Sequence, residues 1–89
     1  MKSLPRRLSL EEMLSQAIKK IKQEKISSLE KCPATYDYTA TFDGGKSLHI
    51  FKIYLIRGID TIILNFSIKK SKYVAHFENN TLRSAEKIN

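Results

Sequence analysis

His49 and His76 are the side chains of this chain best suited to proton transfer, Asp37, Asp43 and Asp60 are the carboxylates that could orient them, and Cys32 is expected as a small, partly buried side chain. General acid–base work requires such groups within hydrogen-bond reach of one another and of a substrate. The two histidines stand far apart, one inside a β-prone run and one near the expected start of a last helix, and turn chemistry accounts for two of the three aspartates. Neither histidine has a metal-ligating neighbour at diagnostic spacing. With one cysteine in 89 residues there is no internal disulfide and no Cys-rich zinc site. The sequence therefore predicts a binding module with no catalytic residue, no metal and no cofactor.

Binding chemistry is written more strongly. Sixteen lysines and arginines against nine acidic residues give a formal charge of +7, which favours an anionic partner. Lys69, Lys70 and Lys72 follow directly on an apolar, β-prone run, so their backbone is anchored and their charges form a fixed cluster. Arg57, the Arg6-Arg7 pair, Lys19 and Lys22 are the other candidates for the same anion-binding surface. Near an acidic membrane each such residue contributes about 1 kcal/mol, so a handful suffices for reversible attachment. An acidic protein face offers the same attraction. Nucleic acid is the rival partner, because phosphate contacts supply most non-specific affinity. Against it, Tyr36, Tyr38, Tyr54, Phe42, Phe51 and Phe66 occupy apolar alternations that predict a place in the core, and there are only four arginines, so stacking or base reading is not expected.

Arg6-Arg7-Leu8-Ser9 has the form of a basophilic-kinase substrate, and Ser9 is at the same time the expected helix cap. A phosphate on Ser9 would meet the positive end of the helix dipole.

These residues must be carried by few elements. Leu10, Met13, Leu14, Ala17, Ile18 and Ile21 recur at helical spacing, with Ser9 and Glu12 forming a capping box, so an amphipathic helix is expected over 9–25. The segment 26–33 has the composition of a connection. Alternation from Tyr36 to Phe42 predicts a strand over 35–42, and Asp43-Gly44-Gly45 a tight turn. The run 47–57 is apolar on both faces, which implies either a strand covered on each side or one bulge that reverses its register. Gly58 marks a second turn before a strand over 61–68. Tyr73, Phe77, Thr81, Ala85 and Ile88 fit one side of a last helix over 72–88. The expected fold class is α+β, one domain over 1–89 with a three-stranded antiparallel meander and a helix at each end.

The hairpin at 51–66 resembles the strand-turn-strand signature of the kinase-associated KA1 domain, the C-terminal regulatory domain of AMP-activated, MARK and checkpoint-type protein kinases. The residues that carry the resemblance are Phe51, Ile53 and Tyr54, the turn at Arg57-Gly58, then Ile62-Ile63-Leu64 and Phe66. The resemblance implies a non-catalytic regulator that docks on anionic phospholipid headgroups, on its own kinase domain, or on a partner subunit. A third function class is an obligate subunit pairing through a free sheet edge. No run approaches the roughly 20 apolar residues of a membrane span, and residues 1–7 lack the apolar core of a secretory signal. The expected location is intracellular, cytoplasmic or nuclear, with peripheral membrane attachment where lipid is the ligand.

Overall fold

The computed structural model describes residues 7–88. One helix, α1 (Leu10–Lys22), precedes six strands: β1 (Ile26–Cys32), β2 (Asp37–Phe42), β3 (Ser47–Arg57), β4 (Thr61–Ile68), β5 (Ser71–Glu78) and β6 (Thr81–Lys87). The strands pair in chain order, each antiparallel to the next, in a single up-and-down sheet.

Helix α1 begins as its residues dictate. The Glu12 N–H donates to Ser9 Oγ at 3.1 Å and the Ser9 N–H donates to Glu12 Oε1 at 2.8 Å, a reciprocal capping box. It ends at Lys22 because Gln23 turns left-handed, with φ 56°, and returns its N–H to the Lys19 carbonyl. Met13, Leu14, Ala17 and Ile18 are fully buried along one stripe. The helix touches both outermost strands, β1 and β6. The sheet is therefore curled round α1, and its concave face holds the core: Tyr38, Ala40 and Phe42 from β2, Leu48 and Ile50 from β3, Leu64, Phe66 and Ile68 from β4, and Tyr73, Ala75 and Phe77 from β5. Each large buried side chain contributes about 1.5–3 kcal/mol by leaving water.

The expected three-stranded meander with two terminal helices is not the architecture present. The segment expected as a last helix over 72–88 is the hairpin β5–β6, and the expected connection over 26–33 contains β1. Tyr73 and Phe77 are four residues apart, a spacing that serves one face of a helix and equally one face of a strand. Ala75 between them decides the matter, because it too is fully buried, so the period is two. Asn79 and Asn80 both adopt positive φ, 51° and 64°, which makes a two-residue hairpin turn where a helix would run on. In β1 the two apolar residues, Ile26 and Leu29, are an odd number apart, which hides the alternation; a register shift between Ile26 and Ser28 brings both towards the core. The trailing helix on which the kinase-associated resemblance partly rested is thus absent from its place in the element order.

The run apolar on both faces proves to be a bulged strand. Phe51 pairs with Ser67 and Tyr54 with Asn65, so Lys52 and Ile53 together oppose one residue of β4. Lys52 takes φ 55° at this point. Before the bulge Leu48 and Ile50 face the core; after it Ile53 and Leu55 do, and His49, Phe51, Tyr54 and Ile56 fall on the convex outer face.

Candidate functional site

Alternating strand direction sorts the charges. The end of α1, the β2–β3 turn and the β4–β5 turn share one end of the molecule, and contacts between them confirm it. Lys46 Nζ lies 3.1 Å from Glu24 Oε2, the Asp43 N–H donates to the Lys25 carbonyl, and the Lys22 ammonium stands 5.9 Å from the centre of the Tyr73 ring. Among the described residues Lys19, Lys20, Lys22, Lys25, Lys46, Lys69, Lys70, Lys72 and Lys87 gather at this end against Glu24, Asp43 and Glu86. The start of α1 and the β3–β4 and β5–β6 turns share the other end, tied by the Leu8 N–H to Asn80 Oδ1 at 3.4 Å and the Asn79 N–H to the Asp60 carbonyl. There Arg7, Arg57 and Arg83 meet Glu11, Glu12, Asp60 and Glu78. The described residues thus form a charge dipole, with the surplus of positive charge at the lysine end.

Of the residues singled out in the sequence, Lys69, Lys70, Lys72, Lys19 and Lys22 are brought to that end. Among the described residues Lys69, Lys70 and Lys72 make no ion pair. Arg57 and Arg7 are not with them. Arg57 pairs in register with Ile62, and Lys69 follows Ile68, so roughly 20 Å of strand separates the two. Arg7 and Arg57 instead line a cleft of about 480 Å³ with Asp60, whose carboxylate offsets part of their charge. Arg6 lies outside the described residues.

The outer face was not legible as a surface. Tyr54 is 57% exposed and Tyr36 72% exposed, where both were expected in the core. His49 stacks on Phe51 with ring centres 5.3 Å apart, and the Lys52 ammonium lies 5.9 Å from the Phe51 ring centre. At the bulge a second cleft, of about 240 Å³, is lined by Lys52, Tyr54, Asn65, Ser67, Lys72 and Ile88 among others. This surface interleaves cations with ring faces. The signal that could have revealed it is the double-faced apolar run in β3: a bulge at Lys52 turns Tyr54 out, whereas continued alternation with Leu48 and Ile50 puts it in.

His49 Nε2 sits 2.9 Å from Asp37 Oδ2 on the open outer face. Cys32 is the register partner of Asp37, so the carboxylate stands between thiol and imidazole rather than imidazole between the other two. The exposed Cys32 thiol has its pKa lowered, chiefly by a hydrogen bond with the Thr35 side chain. His76 lies on β5 opposite Ile63 and Ser84. Among the described residues no group of three His, Cys, Asp or Glu side chains has a metal-binding arrangement, and no helix is long and apolar enough to cross a membrane. Ser9 is exposed and its hydroxyl is engaged in the cap, beside the carboxylates of Glu11 and Glu12 in the first turn.

No protein-family model matches this chain, and neither a curated protein nor a solved structure matches it.

Proposed function

We propose that this chain is a non-enzymatic module that binds single-stranded nucleic acid, laying bases on the outer face of β3–β5 and phosphates along the lysine end. The observation that carries the reading is the exposure of the Tyr54 ring in a cleft shared with Lys52 and Lys72. Ring faces stack on any base and lysines neutralise any phosphate, so the pair of features suits an unpaired strand whose bases are free. A duplex hides those bases and leaves only the lysines to act. Tyr38, Phe42 and Phe66 are buried as their alternation predicts, whereas Tyr54 and Tyr36 stand exposed and free to stack.

The second reading is docking on an acidic membrane, and the observation in its favour is the single lysine-rich end, where the 69–70 turn carries Lys69 and Lys70 with no ion pair among the described residues. About 1 kcal/mol per lysine near an anionic surface is enough for peripheral attachment in an intracellular compartment. An acidic protein face, a kinase domain included, would use the same lysines. Neither version needs Tyr54.

The experiment is a fluorescence-anisotropy titration of a labelled single strand of about twelve nucleotides, beside its duplex and beside phosphatidylserine vesicles, at one salt concentration near 0.1 M. The expected result is single-strand binding at roughly 1–100 μM, weaker duplex binding, and a loss of about fivefold or more in Tyr54→Ala. Vesicle binding without strand binding, or strand binding indifferent to Tyr54, overturns the reading.

A further inference from the structure

We infer that the open edge of β3 pairs with the same edge of a second copy of this chain, so that two sheets join about a two-fold axis at Leu55. The inference stands apart from the strand-binding reading and does not depend on it.

Strand β3 outruns its neighbour. Its pairing with β2 ends at Ile50, opposite Tyr38, while its pairing with β4 continues to Arg57. From Phe51 to Arg57 it therefore has a strand on one side only. The Gly58 N–H donates to the Thr61 carbonyl at 2.8 Å, which makes these two a hydrogen-bonded pair of the hairpin. Such pairs alternate along an antiparallel ladder, so Ile56 and Tyr54 direct their backbone groups at β4, and Arg57, Leu55 and Ile53 direct theirs to the open side. Among the described residues no strand receives them. Natural chains blunt an edge of this kind with charge, proline or a covering element. Here Ile53-Tyr54-Leu55-Ile56 carries neither charge nor proline, Tyr54 and Ile56 are more than half exposed, and α1 lies against β1 and β6 instead.

The segment is complementary to itself. With the axis at Leu55, Leu55 meets Leu55 of the second copy on the core side, Ile53 meets Arg57, and Tyr54 meets Ile56 on the outer face, an aromatic with a β-branched residue. Lys52 falls opposite Gly58, so no like charges stand face to face. All three open-side residues of each copy find partners in this register. An axis at Tyr54 would set Arg57 against the bulge, and one at Ile56 would set Ile53 against the β3–β4 turn. Charge placement favours the same arrangement. The two copies meet near the ends where Arg7, Arg57 and Arg83 face Glu11, Glu12, Asp60 and Glu78, and the lysine ends are carried outward. Leu64, the register partner of Leu55, is five residues from Lys69. Each lysine turn thus lies roughly 17 Å from the axis, and the two turns are roughly 35 Å apart, beyond three Debye lengths at about 0.1 M salt.

The test is sedimentation of the native chain from about 5 μM to about 300 μM at about 0.1 M salt, with hydrogen exchange of the Leu55 and Arg57 amides at both limits. The mass is expected to rise from 10.3 kDa towards twice that value, and the two amides to become about tenfold better protected as it does. Leu55→Lys and Leu55→Glu each place like charges opposite one another at the axis and are expected to remain monomeric, whereas an equal mixture of the two dimerises, a rescue that unfolded variants do not give. Should either fail to fold by circular dichroism, Arg57→Pro carries the test: it removes an amide that points away from β4, so the fold is kept and pairing is lost, while Arg57→Ala retains both. A native chain that stays monomeric at the upper concentration overturns the inference. A dimer that persists in the folded Leu55→Lys or Arg57→Pro variant is made by another surface and overturns it as well. Amides protected equally at both concentrations mean that another segment of the same chain covers this edge, which likewise overturns pairing between copies.

Discussion

The Tyr38 hydroxyl donates to Glu11 Oε2 at 2.6 Å, joining the first turn of α1 to the start of β2. Each partner changes the other's titration. The donated bond, first among its causes, lowers the Glu11 pKa, and burial followed by the Glu11 bond and charge pushes Tyr38 up to about 12. A raised phenol pKa means that folding favours the neutral form, so this contribution is complete below the ordinary tyrosine value near 10 and is lost as pH rises through about 12. For Glu11 the sign is reversed: the lowered pKa favours the folded state above the ordinary carboxylate range and fades in acid. Glu11 is largely solvated, so its share is small. The phenolate absorbance titration should show Tyr38 ionising last, together with loss of the fold, and Tyr38→Phe should remove that alkaline step. A single titration of all tyrosines near pH 10 with the fold intact contradicts the geometry.

The charge dipole predicts unequal ends. Lys69→Glu with Lys70→Glu should weaken anionic binding at least tenfold near 0.1 M salt and flatten the slope of log affinity against log salt, because about two counterion-releasing contacts are lost and two repulsive ones gained. Arg7→Glu with Arg57→Glu makes the same change in net charge at the opposite end and should alter affinity by less than about threefold. Equal losses in both double variants would mean that net charge, rather than its placement, governs attachment.

The β5–β6 turn carries its own test. Asn79 and Asn80 are both left-handed, a conformation asparagine tolerates and alanine does not. Asn79→Ala should cost about 1 kcal/mol in urea unfolding, whereas Asn79→Gly should be neutral or slightly stabilising. If both variants unfold at the same midpoint as the native chain, the two-residue turn is not the link between these strands.

What the residues declared, and what they concealed, follows from period and parity. Helix α1 and the strands over 37–42 and 61–68 carry clear repeats, the β-prone run over 47–57 was legible as a strand but not in its facing, and the capping box at Ser9 fixes one boundary by itself. The last hairpin was hidden because Tyr73 and Phe77 satisfy both periods, and the asparagines that weaken a helix there are the residues that form the turn. Strand β1 was hidden because its bulge breaks alternation. Lys69, Lys70 and Lys72 were visible as a cluster from adjacency alone, but whether Arg57 or Lys22 joins them depends on strand direction: an odd number of crossings sends Arg57 to the far end, and the helix length returns Lys22 to the near one. Lys25, Lys46 and Lys87 were missed for the same reason, since each is isolated in sequence and adjacent to the cluster only in space.

The bulge at Lys52 joins stability to the proposed site, and one substitution separates them. Lys52 holds φ 55°, a conformation that costs a residue with a Cβ about 1 kcal/mol and costs glycine almost nothing. The extra residue is required, since without it Ile53 and Leu55 would turn to solvent and Tyr54 and Ile56 into the core. The side chain is not: the Lys52 ammonium makes no ion pair among the described residues and instead edges the cleft beside Phe51 and Tyr54. Lys52→Gly should therefore unfold at a higher urea concentration than the native chain, by about 0.5–1 kcal/mol, while binding single strands about threefold to tenfold more weakly. Deleting Lys52 should abolish cooperative unfolding altogether. A glycine variant that gains no stability would show that the left-handed turn at this position is unstrained, and one that binds as well as the native chain would remove Lys52 from the surface that meets phosphate.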